Sequence, residues 1–148
     1  CGPVQDERSF AEHVEPHVDV DLVRYLGSVA PPERAAVLGA AACLLHPVSF
    51  AEPFGLSVVE AMLCGTPVVA YPRGSMPEII EDGVTGVLAD GVDAAVTAIE
   101  RAVGFDRSAC REAAARRFSV RRMVDDYLQV YDSVLRGHQR VPVHAPPR

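Results

Sequence analysis

Short apolar runs alternate with helix-length segments along the chain, a pattern that predicts an α/β domain with a parallel sheet. Strand-like runs stand at Cys1-Gly2-Pro3-Val4, Val23-Arg24-Tyr25-Leu26, Cys43-Leu44-Leu45-His46, Val68-Val69-Ala70-Tyr71 and Gly86-Val87-Leu88-Ala89, several of them closed by Gly or Pro. Between them the spacing predicts helices over 6–14, stopped by Pro16, and over 31–41, opened by Pro31-Pro32-Glu33. Further helices are expected over 55–64 with Gly65 in the C-cap position, near Pro77, and from a cap at Asp90 or Asp93 to about Val103. Two more, 108–117 and 119–135 with Ser119 as N-cap, close the domain. In the last, Met123, Tyr127, Val130 or Tyr131, and Val134 recur at helical spacing, so that helix is amphipathic. The expected domain covers 1–136; residues 137–148, with Pro142, Pro146 and Pro147 and no apolar period, read as a flexible tail.

Composition narrows the function. Of 148 residues 49% are apolar and 23% charged, which suits one soluble domain, and a net charge of −6 argues against a nucleic-acid partner. No apolar run approaches the roughly 18 residues that a membrane span needs. Cys1, Cys43, Cys64 and Cys110 lie far apart without a CxxC pair, so they read as reduced thiols of a cytoplasmic protein, not as a disulfide or zinc framework. No signal peptide opens the chain, and a first residue of Cys instead of Met suggests a piece of something longer. No strand is followed by Gly-x-Gly-x-x-Gly and no P-loop occurs, which disfavours a dinucleotide dehydrogenase. His13-x3-His17 has metal-ligand spacing, but Pro16 disrupts the helix needed to align it. His46 ends a strand at the ligand-facing edge but reads first as a satisfied structural histidine. The arginines between 111 and 122 read as a solvated helical face, and Arg73 is a candidate phosphate contact.

Ligands of open parallel sheets bind at the carboxyl ends of the strands, which directs attention to the loops at 27–30, 47–55 and 72–77. The second leads into Phe54-Gly55-Leu56-Ser57-Val58-Val59-Glu60-Ala61-Met62-Leu63-Cys64, a helix apolar nearly all the way round. A carboxylate at Glu60 in such a helix costs several kcal/mol unless paired, and its two oxygens suit the cis-diol of a ribose. The alternative is an exposed acid sharing one solvated stripe with Ser57. The free N–H groups of Gly55, Leu56 and Ser57 form an anion site suited to a diphosphate, with the glycine allowing close approach. Glu60 follows that tip by roughly 6 to 8 Å at about 1.5 Å per residue. Glu52, ahead of the tip, is placed to meet a sugar, or alternatively caps the helix.

The stretch Glu52-Pro53-Phe54-Gly55-Leu56-Ser57-Val58-Val59-Glu60-Ala61-Met62-Leu63-Cys64-Gly65-Thr66-Pro67-Val68-Val69-Ala70, with acids spaced Glu52-x7-Glu60, closely resembles the signature of retaining glycosyltransferases of family 4. Gly74-Ser75-Met76-Pro77-Glu78 resembles the family's next loop, usually Gly-Gly-x-Pro-Glu, with Ser75 in place of the second glycine. Asp82-Gly83-x-x-Gly86 and Phe118-Ser119…Tyr127…Tyr131 fit as well, so the resemblance covers about 1–136.

The resemblance implies the Rossmann-like C-terminal, donor-binding half of a GT-B fold, lacking its first strand and a basic Arg/Lys pair. Glu52 would be catalytic and touch donor-sugar hydroxyls, Glu60 would bind the ribose, and Val29 would read the base. Phe54, Gly55, Leu56 and Ser57 would hold sugar and phosphate through backbone N–H groups. A nucleotide-diphosphate sugar is the implied substrate, with no cofactor and no metal. The N-terminal acceptor domain would be supplied in cis or in trans, and any peripheral membrane association would come through it. The chain alone is then expected to be inactive and marginally stable. The alternatives are a non-catalytic nucleotide-sugar-binding module, a subunit of a split enzyme, or a generic flavodoxin-like domain.

Overall fold

The computed structural model describes residues 2–19 and 21–137, so the tail expected over 137–148 lies, Gly137 apart, outside the described residues. The chain forms two compact units, Cys1–Val37 and Leu38–Arg148.

In the first unit, α1 (Glu7–His13) begins at Asp6, whose carboxylate accepts a hydrogen bond from the Ser9 N–H at 2.9 Å. That bond satisfies one of the donors a helix start leaves open. Pro16 falls in the single 3-10 turn Glu15–His17 that follows. The Asp19 carboxylate then accepts from the N–H groups of Leu22, Val23 and Asp21, and these bonds hold it below the ordinary carboxylate range. Neither strand expected here forms among the described residues. One backbone bond, Gly2 N–H to Gly27 O at 2.7 Å, links the two stretches, and the Tyr25 hydroxyl donates to Gly2 O at 2.6 Å. The alternation around Val23 is present, but a strand exists only where a ladder of backbone bonds holds it. Helix α2 (Pro31–Ala40) carries the boundary between the units, with Pro31 and Pro32 in its first turn.

The second unit holds a parallel sheet of β1 (Leu44–His46), β2 (Val68–Ala70) and β3 (Gly86–Leu88) in that order, with Leu44 opposite Val68 and Val68 opposite Gly86. Strand β2 is central and buried throughout, as its unbroken apolar run requires. Its period of two sorts the core. Val68 and Ala70 pack with Val58, Val59, Ala61 and Met62 of α3 (Leu56–Leu63), Met76 and Ile79 of α4 (Met76–Ile79), and Cys110 and Ala114 of α6 (Arg107–Phe118). Val69 packs on the other face with Val87, Ala89, and Ala98 and Ala102 of α5 (Val92–Val103). Helix α7 (Val120–Leu135) starts at Ser119, whose hydroxyl accepts from the Arg122 N–H at 3.3 Å.

Helix α3 ends as Gly65 requires: at φ +75° it lets its own N–H reach Met62 O and the Thr66 N–H reach Ala61 O, both at 2.9 Å. The cap of α5 differs from expectation. Gly91 is the N-cap without a side-chain bond, Asp93 lies inside the first turn, and Asp90 pairs with Arg73 at 3.0 Å instead. Thr66 and Arg107 tie the unit together across long sequence separations. The Thr66 hydroxyl donates to Leu38 O at 2.6 Å, and Arg107 donates to Gly39 O at 2.6 Å and Ala41 O at 2.7 Å.

Burial pushes the Cys110 thiol up from its ordinary 9.0 to about 11, opposed in part by Arg107. The fold therefore favours the protonated thiol. Its stabilising effect is intact below about pH 9 and drains away as pH rises toward 11, because there the unfolded chain ionises first. Urea midpoints are expected to fall over that window and to fall less in Cys110→Ala; identical pH slopes for the two proteins would refute it.

Among the described residues no helix is long and apolar enough to cross a membrane, and no group of three metal-ligating side chains occurs.

Candidate functional site

The site lies in the second unit, where the loop after β1 meets the start of α3. Pro47 and Pro53 keep that loop from continuing as strand or helix, and Gly55 turns it into α3 at φ +82°, ψ +62°. That left-handed N-cap has no side chain to satisfy the helix start. Among the described residues the N–H groups of Gly55, Leu56 and Ser57 meet no acceptor, whereas those of Val58 and Val59 return to Gly55 O. Three donors without an acceptor at the positive end of a helix dipole make a place where an anion can sit, while the space a Cβ on Gly55 would take is filled by the Met76 methyl.

The two acids flank this tip. Glu52 is half-buried two residues ahead of Phe54, with its side chain folded toward Gly55. Glu60 lies one turn along α3 and is also half-buried. The helix is apolar but not enclosed. Val58, Val59, Ala61 and Met62 are buried, whereas Ser57 is exposed and Leu56 is 70% exposed. Glu60 thus sits at the boundary between the core face and an open stripe, and neither alternative raised by its spacing describes it alone.

That stripe, Leu56, Glu60 and Leu63, borders a groove of about 540 Å³ floored by Val59 and walled by Phe118, Met123 and Tyr127. The Phe54 ring meets Phe118 edge-on, 6.1 Å between centroids, closing the groove next to the helix tip. Arg117 and Arg122 border the same groove, but both are engaged. Arg117 donates to Ile79 O at 2.9 Å and to Glu78 O, and Arg122 pairs with Asp126 at 3.2 Å. Arg73, the candidate phosphate contact, is held by Asp90.

The sequence singles out both acids, the helix tip and the loop at 72–77, but not what that loop touches. Gly74, Ser75 and Met76 lie directly against residues 52–55: the Ser75 N–H donates to Glu52 O at 2.9 Å and its hydroxyl to Phe54 O at 3.0 Å. The groove wall was also missed, although Met123 and Tyr127 stand on the apolar stripe that predicted α7. Val29 is half-buried in the first unit. His46 ends β1 with its Nε2 buried and unpartnered among the described residues.

Residues 1–104 match the family described as glycosyl transferases group 1. The chain belongs to that family. Among its relatives, an uncharacterized 41.2 kDa protein in the cps region of Klebsiella pneumoniae is 38% identical over 122 residues, covering 78% of this chain and 34% of the relative. A D-inositol 3-phosphate glycosyltransferase of Segniliparus rotundus is 36% identical over 124 residues, covering 78% of this chain and 27% of the relative. The chain therefore spans about a third or less of these relatives' lengths. Among solved structures, Anabaena HepE in complex with UDP-glucose superposes with a TM-score of 0.72 at 26% identity, covering 89% of this chain and 39% of HepE. Sucrose-phosphate synthase from Thermosynechococcus elongatus gives a TM-score of 0.71 at 26% identity, covering 88% and 34%. The group 1 glycosyltransferase architecture is of GT-B type, and the parallel sheet with helices on both faces is the part of it this chain carries.

Proposed function

We propose that this chain forms the donor site of a retaining glycosyltransferase and takes a nucleoside-diphosphate sugar of the UDP-sugar class. The observation that carries the proposal is the tip of α3, three unaccepted N–H groups at a glycine with a half-buried carboxylate on either side. A diphosphate accepts from the N–H groups of Gly55, Leu56 and Ser57, and the helix dipole offsets part of its charge. Glu60, one turn on, accepts the paired hydroxyls of the ribose. Glu52, on the other side, accepts hydroxyls of the sugar to be transferred, and is the residue of the chain nearest the reacting carbon. With the negative charge met by backbone donors, donor binding needs no divalent metal. UDP-glucose is the ligand named for HepE, which makes it the first probe. The acceptor is met by another domain, in cis or in trans, so this chain alone binds donor without transferring it.

Titration calorimetry tests the assignment. Glu52→Ala and Glu60→Ala are each expected to weaken UDP-glucose binding by about 1 to 3 kcal/mol, because a desolvated hydroxyl is left without its acceptor. Glu60→Ala should weaken UDP to the same degree, whereas Glu52→Ala should leave UDP untouched. The wild-type affinity should survive an excess of EDTA. Wild-type affinity in both variants would refute the roles, and failure of the unaltered chain to bind either nucleotide would refute the donor site.

A further inference from the structure

We propose that Ser75 is a positioning residue that clamps the loop at 52–55 in its sugar-binding shape, an inference that rests on the donor-site reading above. Ser75 is the N-cap of α4, a position where a serine hydroxyl ordinarily accepts from an N–H two or three residues on. Here no side-chain cap forms. The hydroxyl is turned away from its own helix and donates to Phe54 O at 3.0 Å, while the Ser75 N–H donates to Glu52 O at 2.9 Å. One residue thus holds the two carbonyls on either side of Pro53, a residue with no N–H of its own to anchor the loop.

The residues beside it press on the same segment. Gly74, at φ +57°, brings its Cα so close to the Glu52 backbone that a Cβ would lie 2.8 Å from the Ala51 carbonyl carbon. The Met76 methyl lies 2.6 Å from where a Cβ on Gly55 would stand, and Met76 itself is buried. Three successive residues of one loop therefore form a bed for four of the other, and only the Ser75 side chain contributes a bond that depends on residue type. Glu60 needs no such support, since α3 is fixed by its own core face. The clamp thus acts through Glu52 on the sugar and leaves the nucleotide end alone.

The test compares Ser75→Ala and Ser75→Thr in the whole chain by hydrogen exchange and by calorimetry with UDP and UDP-glucose. In Ser75→Ala, amides at 50–54 should exchange faster while those of the α3 tip and of β2 are unchanged, and UDP-glucose affinity should fall about five-fold with UDP affinity unmoved. Ser75→Thr, which keeps the hydroxyl, should restore both. Wild-type exchange at 50–54 in Ser75→Ala would overturn the clamp, and so would an equal loss for UDP and UDP-glucose. If the unaltered chain bound neither nucleotide the donor-site reading would fall, whereas the exchange comparison would still decide whether Ser75 holds the loop.

Discussion

Gly86→Ala is expected to destabilise the second unit by about 3 kcal/mol, at the upper end of the usual range for overpacking a core. Gly86 is the buried first residue of β3, and a Cβ there would overlap the Val68 carbonyl oxygen and stand 3.0 Å from its carbon and 3.1 Å from its nitrogen. Those are main-chain atoms of the central strand. Strand β2 cannot yield, because Val68 and Ala70 are packed on one face and Val69 on the other. The strain falls instead on the β2–β3 ladder and on the bonds around it, Val68 N–H to Thr85 O at 3.0 Å and Gly83 N–H to Gly86 O at 3.1 Å. Gly83→Ala supplies the control. It meets no atom within 4 Å, and its φ of +77° leaves only a backbone penalty of about 1 to 2 kcal/mol. Urea unfolding followed by circular dichroism measures both, and equal midpoint shifts would show that close approach at Gly86 is not what the sheet depends on.

The contrast explains which parts of the fold could be read in advance. Elements whose signals are local came through: Asp6 and Ser119 cap their helices, Gly65 ends α3, and the apolar runs at 44–46, 68–70 and 86–88 form the sheet. Where the outcome depends on a distant partner, composition carried no information. Val23-Arg24-Tyr25-Leu26 has a strand's alternation, yet its neighbour at Gly2 offers one bond and no ladder. Asp90 looks like a cap and is drawn off by Arg73 across 17 residues. The candidate site divides in the same way. Glu52, Gly55 and Glu60 were visible because their relation is one of spacing along one short stretch that runs from the loop into α3. The loop at Gly74 and Ser75 could be singled out too, but not its contact with Glu52 and Phe54, which joins two loops that only the parallel neighbours β1 and β2 bring side by side. The groove wall at Phe118 and Tyr127 was hidden for the same reason: an amphipathic stripe reveals that a helix has an apolar face and is silent on what that face meets.

Gly74→Ala is expected to reduce UDP-glucose affinity on the order of 100-fold, the scale at which a displacement of about 1 Å disables a positioned site. Two effects act together. At φ +57° an alanine is strained by about 1 to 2 kcal/mol, and its Cβ would overlap the Glu52 carbonyl oxygen and amide nitrogen. Unlike the strands around Gly86, the Glu52 loop is at the surface and free to retreat, with Ala51 and Pro53 both exposed. The chain relieves the overlap by moving that loop, so the fold should lose less than it does in Gly86→Ala while the site loses more. Movement of the loop carries Glu52 and the Phe54–Gly55 turn away from the α3 tip, and the sugar and the diphosphate lose their partners at once. UDP affinity should therefore fall too, which separates this variant from Ser75→Ala, where one bond is removed and the loop loosens at Glu52 without the α3 tip being displaced. Calorimetry with both nucleotides, beside a urea midpoint for each variant, reads the difference directly. A Gly74→Ala chain that bound UDP-glucose like the wild type would mean that the 72–77 loop does not shape the site, and the clamp assigned to Ser75 would lose its foundation with it.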